Sequence, residues 1–563
     1  MPRRKTKVYG LAAISLMLAG TSLAGCSGSN EPAGSAKPSA AAASGSPSGS
    51  PSVKPDEKKN AKYDPPIEVT MVNQSYGAIS FAEGEDMNNN RWRTYIKDNY
   101  GITVKTLWDA PGDQLDQKTN LMIATGDIPD IFLVTPTQLV QLNRAGLIED
   151  LTDVYKNSAP QNVKDVVEQA GKEVLEAATI KGRLMALPFT GFQKETVPVV
   201  WIRNDWMKKL NLPEPKTMDD LLAISKAFTE KDPDGNGKAD TFGLPLDKDL
   251  GFLGTMFNGY HAYKDIWIKD PSGKLVFGSV QPEVKTALAK MQELYKSGQI
   301  DKEFGVKDAV KINENIGQNL LGIYFGSMTG GYSLSDLTPG VQWTPYPIPS
   351  IDGKPTLLQH ALNINYGFWV VKKGMKHPEA LYKLADVWLK LFYENKDDDI
   401  YVKYNSDQKT GFFTQAPVLI YKSFKNMEIS THLEPLLKSD KPATAEELSK
   451  LTPEERLNYS NIQKYKQGDQ SFWKYASRNG IGGAGDIIRD YVKNNQFMPD
   501  QFIGVPTQTM VQKEAILAKM QNEMMTKVIM GSPLEQFDQF VAEWNKLGGE
   551  QITKEVNDWY KSK

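Results

Sequence analysis

The sequence predicts an α/β protein built on doubly wound parallel sheets and divided into more than one structural unit. Three observations carry this. Strand-like apolar runs alternate with helical patterns from Ile67 to Val134, which is the signature of βαβ units. One run, Asp130-Ile-Phe-Leu-Val134, is continuously apolar, as in a strand covered on both faces. The chain has 563 residues, more than one core of about 100–200 residues accommodates.

The first element is an address. Arg3, Arg4, Lys5 and Lys7 precede a mostly apolar run from Val8 to Ala24, the layout of a secretory signal peptide over residues 1–25. The run is marginal for a membrane span, which needs about 20 predominantly apolar residues. It ends in Leu23-Ala24-Gly25-Cys26, with the only cysteine of the chain. This resembles a bacterial lipobox, which implies cleavage before Cys26 and lipid attachment at its thiol. Residues 26–63 then form the lipidated cysteine and a Ser-, Gly-, Pro- and Ala-rich linker, with an r.m.s. span of roughly 30–35 Å.

The body starts at Ile67–Met71, which alternates like a strand. Asp86–Tyr100 reads as a helix closed by Gly101, Ile102–Leu107 as a strand, and Gln114–Thr125 as a helix ending at Gly126. Val199–Ile202 begins a new strand after Pro198. His377-Pro378 opens a helix with Leu381, Leu384, Ala385, Trp388, Leu391 and Phe392 on one face. Ser532-Pro-Leu-Glu535 reads as a capping box that starts a helix carrying Phe537, Phe540, Val541 and Trp544. Both aromatic stripes read as core.

Composition excludes several functions. Net charge is -2 and mean hydropathy -0.45, so no basic footprint for nucleic acid exists. One Cys and four His exclude a disulfide scaffold and a cysteine zinc site within one chain. His261, His360, His377 and His432 lack ligand spacing and read as surface or hydrogen-bonded residues. Gly480-Ile-Gly-Gly-Ala-Gly485 fits G-x-G-x-x-G, but no clear strand precedes it, so it reads as a flexible loop.

The sharpest motif is Asp232-Pro-Asp234-Gly-Asn236-Gly237-Lys238-Ala-Asp240. Oxygen donors fall at positions 1, 3, 5 and 9, with Gly at 6 and the Lys238 carbonyl at 7, the pattern of a calcium loop. Position 12 is Gly243 where a bidentate Glu is expected, so affinity should be modest, roughly 10⁻⁴–10⁻³ M. A polar Asx-type turn after the helix Met218–Glu230 is the other reading. Calcium is the expected, structural cofactor.

The lipobox, the spacer and Leu121-Met-Ile-Ala-Thr-Gly126-Asp-Ile-Pro129-Asp130 together resemble the extracellular solute-binding lipoproteins of Gram-positive ABC importers. The closer resemblance is to the carbohydrate-type family 1 of Paenibacillus-like bacteria. Gly182–Pro188, Arg203-Asn-Asp205-Trp206 and Phe537–Tyr560 add to it, while Glu394–Pro499 matches least and reads as an insertion. The resemblance implies two doubly wound lobes with a hinge and interlobe cleft, of the type II periplasmic-binding-protein kind. It places residues 64–195 with about 365–430 in an N-terminal lobe, and 196–364 with about 431–563 in a C-terminal lobe. It implies a sugar or oligosaccharide ligand, an ABC permease partner, a lipid anchor on the extracellular face of the cell membrane, a monomer, and no enzymatic step. A secreted polysaccharide-acting enzyme, a binder of another polar solute such as a peptide, and a calcium-dependent adhesion module are the alternatives.

A sugar binder needs aromatic plates for C–H faces and polar groups for hydroxyls. Strand ends and loops of a doubly wound fold supply them. The candidates are Gln74, Tyr76, Asp130, Trp201, Arg203, Tyr260, Tyr324, Phe325, Tyr366, Trp369 and Trp473.

Overall fold

A computed structural model describes residues 61–563, apart from 75–78, 80, 111 and 408–409. The signal segment, Cys26, most of the linker and Tyr76 lie outside the described residues. The strands used below are β1 (Ile67–Gln74), β2 (Ile102–Ala110), β3 (Ile131–Val134), β4 (Leu187–Thr190), β5 (Val199–Arg203), β6 (Trp267–Lys269), β7 (Leu275–Phe277), β8 (Ile323–Gly326), β9 (Trp343–Tyr346), β10 (Leu358–His360), β11 (Ile364–Val371) and β12 (Phe497–Pro499). The helices used below are α1 (Arg91–Tyr100), α2 (Pro136–Ala145), α3 (Met218–Glu230), α4 (Gln508–Ile529) and α5 (Glu535–Trp544).

The first lobe is built on a five-stranded sheet in the order β2-β1-β3-β11-β4. β1 runs parallel to β2 and β3, while β11 is antiparallel to β3 and β4. Strand alternation sorts its side chains onto two faces. Ile131, Leu133, Trp369 and Val371 join one core with Val69 and Trp92. Phe132, Val134, Phe368 and Val370 join another with Leu139 and Leu142. The continuous apolar run therefore means a strand buried on both faces, as expected.

The second lobe has a three-stranded antiparallel sheet, β8-β5-β9. Two isolated parallel bridges extend it, Phe242 with Leu321 and Leu244 with Ile300. With those bridges, the strand directions across the sheet repeat those of the first lobe, but the parallel half is reduced to single residue pairs. Helices replace it: α4, α5 and α3 all contribute to one large core with Trp201, Trp206 and Trp343.

Three passages link the lobes and are tied together. Gly191 N donates to Asn363 O (2.9 Å) and Tyr421 N to Thr190 O (3.1 Å). The Glu195 carboxylate accepts from Met427 N (2.5 Å) and Asn426 Nδ2 (2.9 Å). Burial pushes its carboxyl up to about 7, against those hydrogen bonds and the nearby Arg478 and Lys425 charges.

Three expected elements differ in detail. α1 starts at Arg91, because Asn90 Oδ1 accepts from Trp92 N and Arg93 N and fixes the helix start there, while Asp86 closes a turn on Asn88 and Asn89. α5 starts at Glu535 with no side-chain cap, so Ser532 does not close a capping box; its carbonyl accepts from Gln292 Nε2 instead. The Gly480–Gly485 stretch is a tight turn between helices Trp473–Asn479 and Ala484–Lys493. It is closed by Gly480 N to Ala476 O, Gly483 N to Gly480 O, and Gly482 N to Asp486 Oδ2, and is no loose loop. The Glu394–Pro499 region is largely helical, with its own small core around Leu433, Tyr459 and Ile462. No helix among the described residues is long and apolar enough to cross a membrane.

Candidate functional site

A cavity of about 450 Å³ lies against the C-terminal helices of the second lobe, and one of its wall residues, Pro136 at the start of α2, comes from the first. That volume falls within the range of small-molecule sites. Five segments of the second lobe build its walls, the last helix (Glu550–Lys561) giving only Ile552. The β6–β7 hairpin pairs Trp267 with Phe277, and Phe277 stacks on Trp544 of α5 with ring centres 5.3 Å apart and planes 3° from parallel. The segment after β12 carries Asp500, Phe502, Gly504 and Pro506. Gly504 lies so close to Trp559 and Phe502 that a Cβ would come within 2.8 Å of the indole, so a larger residue there would have to push these rings aside. α4, capped by Thr507, presents Met510, Glu514, Leu517, Ala518, Gln521 and Asn522 on one face at helical spacing.

The polar groups are few and placed. Asp500 Oδ1 accepts from Trp267 N and Phe502 N, both at 3.0 Å, which fixes the carboxylate against the hairpin. Its Oδ2 has no hydrogen-bond partner among the described residues. Burial pushes this carboxyl up to about 6, although the two backbone donors oppose the shift. Asp265 accepts from Gln521 Nε2 (2.6 Å) and pairs with Lys264. Apolar plates around a few oriented oxygens and amides suit a ligand with C–H faces and hydroxyl edges.

None of the sequence candidates whose side chains are described lines this cavity. Trp201 is wholly buried and donates to Ser327 O. Trp369 stacks on Phe189 and donates to Leu419 O. Phe325, Tyr260 and Trp473 belong to the second core. Tyr324 is half-buried beside Phe252, where burial raises its phenol. Arg203 is clamped by Asp205 (2.5 Å) and Asn319 (2.6 Å) and lies over Trp206. Asp130 stands at the start of β3, the end opposite a doubly wound ligand crevice, and ties it to β1 through Thr70 N and Oγ1. Gln74 ends β1 and Tyr366 lies within β11. Position at a strand end chose these residues; side-chain alternation then turned several of them into the cores. Trp267, Phe277, Asp500, Phe502, Gln521 and Trp544 were missed. They come from separate segments whose meeting no local pattern announces, and Trp544 sat in a stripe that reads as core.

The Asp232–Asp240 loop follows α3. Asp232 accepts from the backbone of Gly235 (2.9 Å), Asn236 (3.1 Å) and Gly237 (3.0 Å), the last residue being a glycine at φ 77°. Asn236 Nδ2 donates to Asp234 (2.8 Å) and Asp240 (3.2 Å). A hydrogen bond with Asp234 holds the Asp232 carboxyl down, while burial and then Asp232 push that of Asp234 up. Gly243 lies against Ser225, and Thr241 donates to Phe228 O, so neither supplies a donor to the loop. The donor chemistry, three carboxylates and an amide, suits a hard cation. Their present arrangement satisfies them internally, with the Asn236 amino group among the carboxylates. Among the described residues no three acidic, His or Cys side chains converge on a metal position.

Comparison with known proteins fits this architecture. Residues 84–424 match the family described as bacterial extracellular solute-binding protein. Lipoprotein LipO of Bacillus subtilis is 30% identical over 235 residues, 40% of this chain and 44% of that protein. The polygalacturonan/rhamnogalacturonan-binding protein YtcQ of the same organism is 31% identical over 236 residues, 40% and 45% of the two chains. The fructooligosaccharide ABC transporter substrate-binding protein FusA of Streptococcus pneumoniae is 28% identical over 254 residues, 41% and 46%. The aligned stretches thus span under half of each of these relatives. The solved structure of a FusA EF-hand mutant in complex with fructo-nystose has a TM-score of 0.54 at 18% identity, covering 88% of this chain and 99% of that one. Fold and family match agree: this chain belongs to the bacterial extracellular solute-binding proteins.

Proposed function

We propose that the protein is the substrate-binding component of an ABC importer and captures a sugar or oligosaccharide between its two lobes. The lobes are residues 64–195 with about 365–430, and 196–364 with about 431–563. One observation carries the reading: the cavity of about 450 Å³ combines stacked aromatic walls with oriented carboxylate and amide groups and takes wall residues from both lobes. Relatives named for binding polygalacturonan or fructooligosaccharide support the glycan class. Closure of the lobes about the tied passages buries the ligand and presents a composite surface to the permease. No covalent step is involved. Cys26 carries the lipid that holds the monomer at the extracellular face, in keeping with a relative named as a lipoprotein. Asp232, Asp234, Asn236, Asp240 and the Lys238 carbonyl hold calcium, for which Asn236 must present its oxygen in place of Nδ2. That ion braces the loop after α3; a relative's named EF-hand supports it.

Thermal unfolding of the purified protein against a panel of oligosaccharides, with and without calcium, tests the reading. A ligand at about 100 times its Kd adds about 2.7 kcal/mol of stability. Failure of every glycan to raise Tm, or release of cleaved products from any of them, contradicts it.

A further inference from the structure

The charge of the cavity decides between acidic and neutral glycans. Its lining carries three carboxylates, Asp265, Asp500 and Glu514, and no Lys, Arg or His. Asp265 is neutralised by its ion pair with Lys264, and its other oxygen accepts from Gln521 Nε2. Asp500 is not neutralised: both contacts to Oδ1 are backbone amides, and Oδ2 is left to accept from whatever enters. Glu514 sits one helical turn before Leu517 on the same face of α4, exposed toward solvent.

We infer that this site selects glycans without acid groups, with Asp500 accepting a ligand hydroxyl or ammonium and Asp500 and Glu514 together rejecting uronates. The physics is that of a partly desolvated carboxylate. An accepting oxygen gains from an O–H or N–H⁺ donor, whereas a second carboxylate brought beside it has no cation to share, and like charges in contact at an interface are strongly disfavoured. The aromatic walls serve both classes of glycan alike, so the discrimination rests on the carboxylates. The raised Asp500 carboxyl fits the same picture, because its surroundings already disfavour one negative charge.

This inference rests on the sugar-binding reading, and its test separates the two. Calorimetric titration of the purified protein is run with matched pairs: tetragalacturonate against the neutral tetrasaccharide obtained by reducing its carboxyl groups, and cello-oligosaccharides against their C6-oxidised counterparts, with chitosan tetraose as the amino-bearing probe. Neutral or amino members should bind about tenfold or more tighter than acidic ones. Glu514→Gln, on an exposed helical turn, should keep the fold and narrow that ratio by roughly threefold, and Asp500→Asn should narrow it further. Equal or tighter binding of the acidic members overturns the charge-selection inference while leaving the sugar-binding reading intact. An unchanged ratio in both variants overturns the roles given to Asp500 and Glu514. Absence of binding by every member overturns the sugar-binding reading itself.

Discussion

The two lobes share a pattern of strand directions but spend their residues differently. In the first, five full strands separate two cores, and the side chains of β3 and β11 alternate between them. In the second, the parallel strands shrink to two bridges, and helices from the C-terminal third fill the space around β5. The difference teaches where a ligand site can be varied. A sheet packed on both faces fixes its side chains, whereas a helical wall such as α4 can change residues along one face without disturbing a strand register. The cavity's carboxylates and aromatic plates all come from the second lobe, Glu514 and Trp544 from its helices and the rest from the hairpin and the adjoining loops.

The sharpest way to break this contrast is to truncate one tryptophan on each side. Trp92 is wholly buried in the first lobe and donates to Tyr404 O and Phe412 O. Trp92→Ala should cost about 4–5 kcal/mol in urea unfolding yet leave glycan affinity unchanged wherever the protein is folded. Trp544→Ala should cost a comparable amount and also lower affinity, because Trp544 lines the cavity. Affinity loss from the first variant and none from the second would reverse the assignment.

Next in size is the hinge that joins the regions. Glu195 has its folded carboxyl at about 7, above the ordinary 4.5. A raised folded value means that its contribution is fully present below about pH 4.5 and is lost as pH rises through about 7. Relative to wild type, Glu195→Gln should therefore gain stability between pH 5 and pH 8, on the order of 3 kcal/mol at most. Urea midpoints that run parallel for both proteins across that range contradict this.

Phe502→Ala should sharpen the contrast with a smaller effect. Phe502 is half-buried, edge-on to Trp559 and on the cavity wall, so glycan affinity should fall about tenfold with little loss of stability. Smallest is the loop after α3. Calcium at about 10 mM should raise stability by about 1.4 kcal/mol if Kd is roughly 10⁻³ M, and Asp232→Ala should abolish that increment.

Much of the first lobe was legible in the sequence. Ile131–Val134 announces a doubly covered strand by its unbroken apolar run, and Gly101 ends α1 where a left-handed residue is needed (φ 66°). The boundary residues Ser532 and Asp86 misled, because a polar residue near a helix start can serve a neighbouring turn or helix as well as a cap. The cavity was far less legible. Trp267 and Trp544 are 277 positions apart yet both pack against Phe277, one tilted and one stacked, and no periodicity encodes a meeting of that range. Asp500 follows a short strand whose partner, β10, lies over a hundred residues earlier.

The place of β11 in its sheet governs the order in which this chain acquires its shape. β11 lies between β3 and β4, although more than 170 residues separate it from β4 along the chain. Until β11 is in place, β4 has no strand neighbour and the sheet cannot close. The amino-terminal half is made first but finishes late, and a fragment that stops short of residue 364 lacks the strand that joins β4 to the rest of its sheet. Neither half is therefore an independent folding unit, and truncation libraries should yield folded protein only when the cut spares both.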